Sequence, residues 1–243
     1  SSTESVSSWA AAPPASNSVS ASSSFVTRVS TNGTDGTVDL TADGSLDWAL
    51  WSANSLSATQ TKNGGSAVNH TLAKIGTLST GRFGASGFST DWTDGTPTTS
   101  GSSFSGINSG NIPTAGGFRM TASLPAAGTY TLKIKAATYQ ANYQLTATLG
   151  SGPTSTTGSQ TATSGVVDEI FFTVDVTTTA ADAVTLDFTR TGGAGAILAL
   201  QSLTIDATGG RAAVLEAAVE NFPTNGFKAI LWHHGNIDAA AAT

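Results

Sequence analysis

Between residues 25 and 206 apolar and polar positions alternate, segment after segment, with a period of two. Phe118, Met120, Ala122 and Leu124 alternate with Arg119, Thr121 and Ser123, and residues 125–128 (PAAG) turn the chain. Tyr130, Leu132, Ile134 and Ala136 follow, then Tyr143, Leu145, Ala147 and Leu149. The pattern returns at Ile170–Val176, Val184–Phe188 and Ile197–Ile205. A period of two with one polar face predicts antiparallel strands that are half solvated. Thr-rich turns at intervals of about ten residues predict two packed sheets. The fold class expected is mainly β, an antiparallel β-sandwich of jelly-roll type with a short helix–strand segment behind it.

The two ends read differently. Residues 1–24 are mostly Ser, Ala and Pro, too poor in apolar groups to offset the entropy of ordering, and read as a tail or linker. Residues 211–221 (RAAVLEAAVEN) place Leu215 and Val219 at helical spacing, and Pro223 and Asn225-Gly226 end the segment. Residues 228–232 (KAILW) suit a buried strand. One helix and one strand cannot shelter their own apolar side chains, so residues 207–243 are expected to dock on the sandwich or on another copy of the chain. The organisation expected is a tail at 1–24, a sandwich at 25–206 and an incomplete α/β segment at 207–243.

Composition narrows the partners. The 243 residues carry only 11% charged side chains and a formal net charge of −6, while 70 residues are Ser or Thr. Hydroxyls thus take over much of the surface role of charge. No basic stripe exists to displace counterions from nucleic acid, and no apolar run reaches the ~18 residues of a membrane span. Cysteine is absent, which removes disulfides and thiolate metal sites. Few lysines and many small hydroxyl residues predict a secreted or cell-surface protein of bacterial type, with no cofactor.

Two stretches carry resemblances. Residues 40–51 (LTADGSLDWALW) and 92–98 (WTDGTPT) resemble the L-T-A-E-G-T-x-D-W-x-H-W and W-x-D-G-T-P-T segments of a β-sandwich module of secreted bacterial proteins. That resemblance spans about residues 37–206 and implies a carbohydrate-binding-like accessory role. Residues 230–239 (ILWHHGNIDA) resemble the I-x-W-H-Q-G-E-S-D-A block of sialate O-acetylesterase-like enzymes of the SGNH hydrolase superfamily. It implies oxyanion-hole chemistry, with His233, His234, Gly235, Asn236 and Asp238 as the matching positions. The nucleophile block and the late D-x-x-H pair of those enzymes are missing, so no hydrolysis is expected of this chain.

For glycan binding, Trp48, Trp51, Trp92, Tyr139 and Tyr143 offer rings able to stack on a pyranose. Asp47, Asp91 and Asp94 can accept sugar hydroxyl hydrogens. In a strand through residues 47–51, Trp48 and Trp51 fall on opposite faces, which predicts one Trp in the core and the other toward solvent. A structural Ca²⁺ near Asp35, Asp43 or Asp47 is chemically open. Three readings follow: a secreted glycan- or surface-polymer-binding module, a self-associating subunit of an extracellular filament, fibre or surface assembly, and an SGNH-type esterase completed by sequence outside this chain.

Overall fold

The computed structural model describes residue 14 and residues 16–62, 70–150 and 152–207. In chain order the first strands are β1 (Ser18–Thr27) and β2 (Gly36–Asp39), then the single helical turn α1 (Leu40–Asp43). β3 (Asp47–Leu50), β4 (Gln60–Lys62), β5 (His70–Ile75), β6 (Ser79–Phe83) and β7 (Phe88–Trp92) follow. Next come β8 (Gly95–Thr96), β9 (Gly101–Ser103), β10 (Gly106–Gly110), β11 (Gly117–Leu124) and β12 (Gly128–Tyr139). The last are β13 (Asn142–Leu149), β14 (Thr154–Thr156), β15 (Val167–Thr178), β16 (Asp182–Gly192) and β17 (Ile197–Ala207).

The protein is a mainly β, antiparallel β-sandwich, as the alternation predicts. A large sheet runs β1-β15-β12-β17-β3-β4-β8, with β10 and β6 added beside β17. It faces a five-stranded sheet, β14-β13-β16-β11-β5. The apolar set of each alternating strand points into the space between them. Leu132, Ile134, Phe172, Val174, Leu198 and Leu203 of the large sheet meet Phe118, Met120, Leu145, Leu186 and Phe188 of the smaller one in one core. Phe172 stands edge-on to Tyr143 and Phe188 at ring separations of 6.0 and 5.3 Å, an arrangement that aligns ring edges with ring faces across the two sheets.

β17 contains the main irregularity. Its register with β12 steps between Lys135↔Ser202 and Ala136↔Leu200, leaving Gln201 as a bulge. The bulge keeps Leu198 and Leu200 inward before it and Leu203 and Ile205 inward after it, although the sequence parity has changed. At the same point the other edge of β17 exchanges partners, from β10 to β3.

A third layer was not legible in the alternation. β2, β7 and β9 form a small sheet, with β2 and β7 parallel. Together with α1 it covers part of the outer face of the large sheet, and Leu40, Trp48, Leu50 and Trp92 make a second core there. β3 is therefore buried on both faces. Asp39 caps α1 by accepting from the Thr41 and Ala42 amides at 3.0 and 3.1 Å, which sends Leu40 into that core.

The N-terminal boundary also differs from the reading by composition. Ser18–Ser24, grouped there with the tail, form most of β1 and pair with Phe171–Thr177 of β15. Val19 and Ala21 pack against the main core. Small hydroxyl residues satisfy an edge strand because only one of its faces needs apolar groups. The helix and strand expected at 211–232, with His233, His234, Gly235, Asn236 and Asp238, lie outside the described residues.

Candidate functional site

The two motifs of residues 40–51 and 92–98 form one joint. The Asp94 carboxylate accepts from Thr41 Oγ1 at 2.7 Å and from Trp48 Nε1 at 2.9 Å, and Lys62 Nζ donates to its other oxygen. Burial pushes the Asp94 carboxyl up, but the bonds from Lys62, Thr41 and Trp48 outweigh it and hold the group below the usual carboxylate range. Trp92 folds back over its own turn and donates through Nε1 to the Thr98 carbonyl at 2.9 Å. Gly95 lies under that ring, where a Cβ would come within 2.5 Å of it. The WTDGTPT segment thus locks the third layer onto the large sheet.

The same layer decides the fate of the candidate rings. Trp48 and Trp92 pack together with centroids 6.2 Å apart, closed to solvent. Trp51 lies in the main core and donates to the Leu56 carbonyl, so both tryptophans of residues 47–51 are buried rather than one. The physical reason is the third layer, which turns the expected solvent face of β3 into a second core. Tyr143 is also core, and its hydroxyl has no partner among the described residues. Burial pushes its pKa well above the ordinary value. Asp47 is buried, accepting from the Trp48 amide and facing His70 Nδ1 at 3.3 Å. Asp91 sits on β7 opposite Asp39 and Ser102. Among these rings Tyr139 alone is at the surface, with 39% of its area exposed.

The carboxylates named for calcium are dispersed. Asp35 binds the amides of Val29 and Ser30, Asp43 pairs with Lys133, and Asp47 faces His70. Among the described residues no three His, Asp or Glu side chains converge on a metal position.

Lys133, Lys135, Ala137 and Tyr139 share the outer face of β12, which is accessible at its two ends, Lys133 and Tyr139. At one end Lys133 Nζ donates to Asp43 Oδ1 at 2.6 Å, on the rim of a cleft of about 80 Å³ that opens beside the third layer. In the middle Lys135 is sealed and paired with Glu169. At the far end Tyr139 borders a shallow apolar groove lined also by Phe83, Val167 and Ile197. Six residues of strand put the two ends ~20 Å apart. Composition gave no signal for this track, since Lys133 and Lys135 read as ordinary solvated positions.

No protein-family model and no curated protein matches the chain. Solved structures with some likeness include the enzymatically active domain of tailspike protein 4 of bacteriophage CBA120, at 12% identity and a TM-score of 0.36 over 57% of this chain. The chain spans 19% of that tailspike domain's length. A family 35 carbohydrate binding module from Clostridium thermocellum aligns over 43% of this chain and 79% of its own, at 17% identity and a TM-score of 0.28. The module CBM6cm-2 from Cellvibrio mixtus lichenase 5A, in complex with cellotriose, aligns over 56% and 97%, at 18% and 0.29. Likeness of this degree transfers no residue role and no ligand. What stands is the class, an antiparallel β-sandwich, and no helix among the described residues is long and apolar enough to cross a membrane.

Proposed function

We propose that this chain is a secreted, non-catalytic module that binds a neutral glycan on the outer face of its large sheet, with Tyr139 as the stacking ring. One observation carries the reading: Tyr139 ends β12 at an apolar groove while the other candidate rings are enclosed. An exposed phenol ring beside Val167 and Ile197 suits the apolar face of a pyranose, and a phenol hydroxyl can bond to a sugar at the rim. Affinity electrophoresis against a panel of soluble neutral polysaccharides tests it. Retardation by at least one of them is expected, lost in Tyr139→Ala and kept in Tyr139→Trp. Retardation that Tyr139→Ala leaves unchanged would remove the ring from the site.

A second reading, a subunit of an extracellular assembly, is favoured by Phe25, Val26 and Val29. Phe25 and Val26 are exposed at the end of β1, the edge strand of the large sheet, and Val29 is exposed just beyond it. Sedimentation velocity over a concentration series distinguishes the two. A monomer throughout sinks the assembly reading, whereas oligomers abolished by Val26→Lys support it.

A further inference from the structure

We infer that β1 pairs edge to edge with β1 of a second copy of this chain, antiparallel and centred on Phe25, in a two-fold dimer that presents both Tyr139 grooves on one face. The inference rests on the assembly reading of this edge and narrows it to a closed pair. The dimer itself does not depend on whether Tyr139 binds a glycan.

The ladder shows how much of the edge is open. β1 pairs with β15 over ten consecutive residues without a bulge, and Ser18–Thr27 holds neither a charged residue nor a proline. Charges, prolines and bulges are the usual devices that keep an edge strand from adding a neighbour. In an antiparallel ladder alternate residues turn both N–H and C=O toward the partner strand or away from it. The Arg28 amide donates to the Val167 carbonyl, which marks the even positions as those turned to β15. The odd positions face outward, and there the Ala21 amide is taken by Ser155 Oγ at 3.1 Å. The strand ends at Thr27. Ser23, Phe25 and Thr27 remain as an outward window whose backbone groups have no partner among the described residues.

The window specifies its occupant. Three outward residues overlap fully with a like strand in one antiparallel register, with Ser23 against Thr27, Phe25 against Phe25 and Thr27 against Ser23. Phe25 stands opposite Ile170 of the main core and Val26 opposite Glu169 of the outer face, so the two side chains flank the window on its two faces. Both are nearly half exposed, and a second copy covers them with its own Phe25 and Val26. The chain carries a net charge of −6, yet none of it lies on Ser18–Thr27, so two copies meet here without opposing like charges. Such a pairing is isologous. It uses up the edge on both sides and closes at two, which excludes a filament through β1. The two-fold axis runs along the sheet normal and keeps both outer faces on the same side. Tyr139 lies two strands in from β1, opposite Val167, and strand spacing and rise put the two grooves about 30 Å apart.

Sedimentation velocity of the full chain over a concentration series, with amide hydrogen exchange read by NMR at its two ends, tests the pairing without any ligand. A monomer–dimer equilibrium with no larger species is expected. The Ser23, Phe25 and Thr27 amides should exchange at least about tenfold more slowly in the dimer, while those of Ser22, Ser24 and Val26 stay protected throughout. Phe25→Lys sets two ammonium groups against each other on the axis and should give a folded monomer. That monomer should bind a short neutral oligosaccharide as the unaltered chain does, and a long polysaccharide at least about tenfold more weakly, since it has one groove. The inference is overturned by a monomer at every concentration, by larger assemblies, by dimers that survive Phe25→Lys, or by protection of the three amides in the monomer. Oligomers that leave the three amides unprotected overturn this pairing and leave the assembly reading standing. Equal binding of long polysaccharide by monomer and dimer overturns the shared face. If neither binds any glycan, the shared face falls with the Tyr139 reading and the dimer stands on the exchange data.

Discussion

Lys135 and Glu169 form an ion pair sealed between the large sheet and the segment leading into β7, their side chains 2% and 0% exposed. Ser86 Oγ and the Gly87 amide complete the Glu169 carboxylate at 3.1 and 2.8 Å. The ammonium lies over the rings of Phe88 and Phe171, 5.5 and 5.0 Å from their centres. The pair fastens the third layer to the sandwich at a point between the cleft beside Lys133 and the groove beside Tyr139, and its burial sets the first prediction.

Glu169→Gln leaves a buried ammonium without its counter-charge and should cost about 3–5 kcal/mol, measured by urea unfolding. The double variant with Lys135→Met should recover much of that loss. Burial pushes the Lys135 pKa below its ordinary 10.5 despite the neighbouring Glu169. The unfolded chain then binds more protons than the folded one just below pH 10.5, so stability should rise with pH through that window. Lys135→Met should flatten the rise; an unchanged slope would mean that other groups govern it.

Tyr143 acts in the opposite sense. Its pKa is raised by burial, with Asp168 adding to the effect, so the folded chain holds the proton longer and stability should fall above pH 10. Tyr143→Phe removes a buried, unpartnered hydroxyl while keeping the ring between Phe172 and Phe188. It should add about 1 kcal/mol at neutral pH and abolish the alkaline loss. A destabilised variant would show that the hydroxyl has a partner.

Asp94 ties the two sequence motifs together. Asp94→Ala strips a partner from Trp48, Thr41 and Lys62 at once and should cost about 1–3 kcal/mol in thermal or urea unfolding. Since the Asp94 pKa lies below its ordinary 3.8, its contribution is present above that value and lost as pH falls through the folded one. Acid unfolding of Asp94→Asn should therefore begin from a lower stability and show a shallower dependence on pH. Equal acid profiles would mean that the joint carries no stability.

The sandwich boundary is also testable. A chain trimmed to residues 16–207 retains β1 to β17 and should unfold in one cooperative transition. Starting instead at residue 25 removes Val19 and Ala21 from the core and uncovers β15, a loss of at least about 2 kcal/mol. If both trimmed chains unfold at the same denaturant concentration, the first seven residues of β1 contribute nothing.

The alternation by itself determined the sandwich. Long strands with a strict period of two, such as β11, β12, β13 and β16, have only one way to bury Phe118, Leu132, Leu145 and Leu186 while keeping Thr and charged residues wet. It did not determine the third layer, because β2, β7 and β9 are three to five residues long and draw their stability from Trp48 and Leu50 rather than from each other. The tryptophans stood out in the sequence as ligand candidates, yet whether an indole stacks on a sugar or on another indole depends on what covers it. Lys133 and Lys135 make the same point most directly. They occupy the same face of one strand, two residues apart, and are chemically identical in the sequence. One is 48% exposed on a cleft rim and the other is sealed against Glu169. Residues 86–88, nearly fifty positions earlier in the chain, make that difference, and only tertiary packing brings them there.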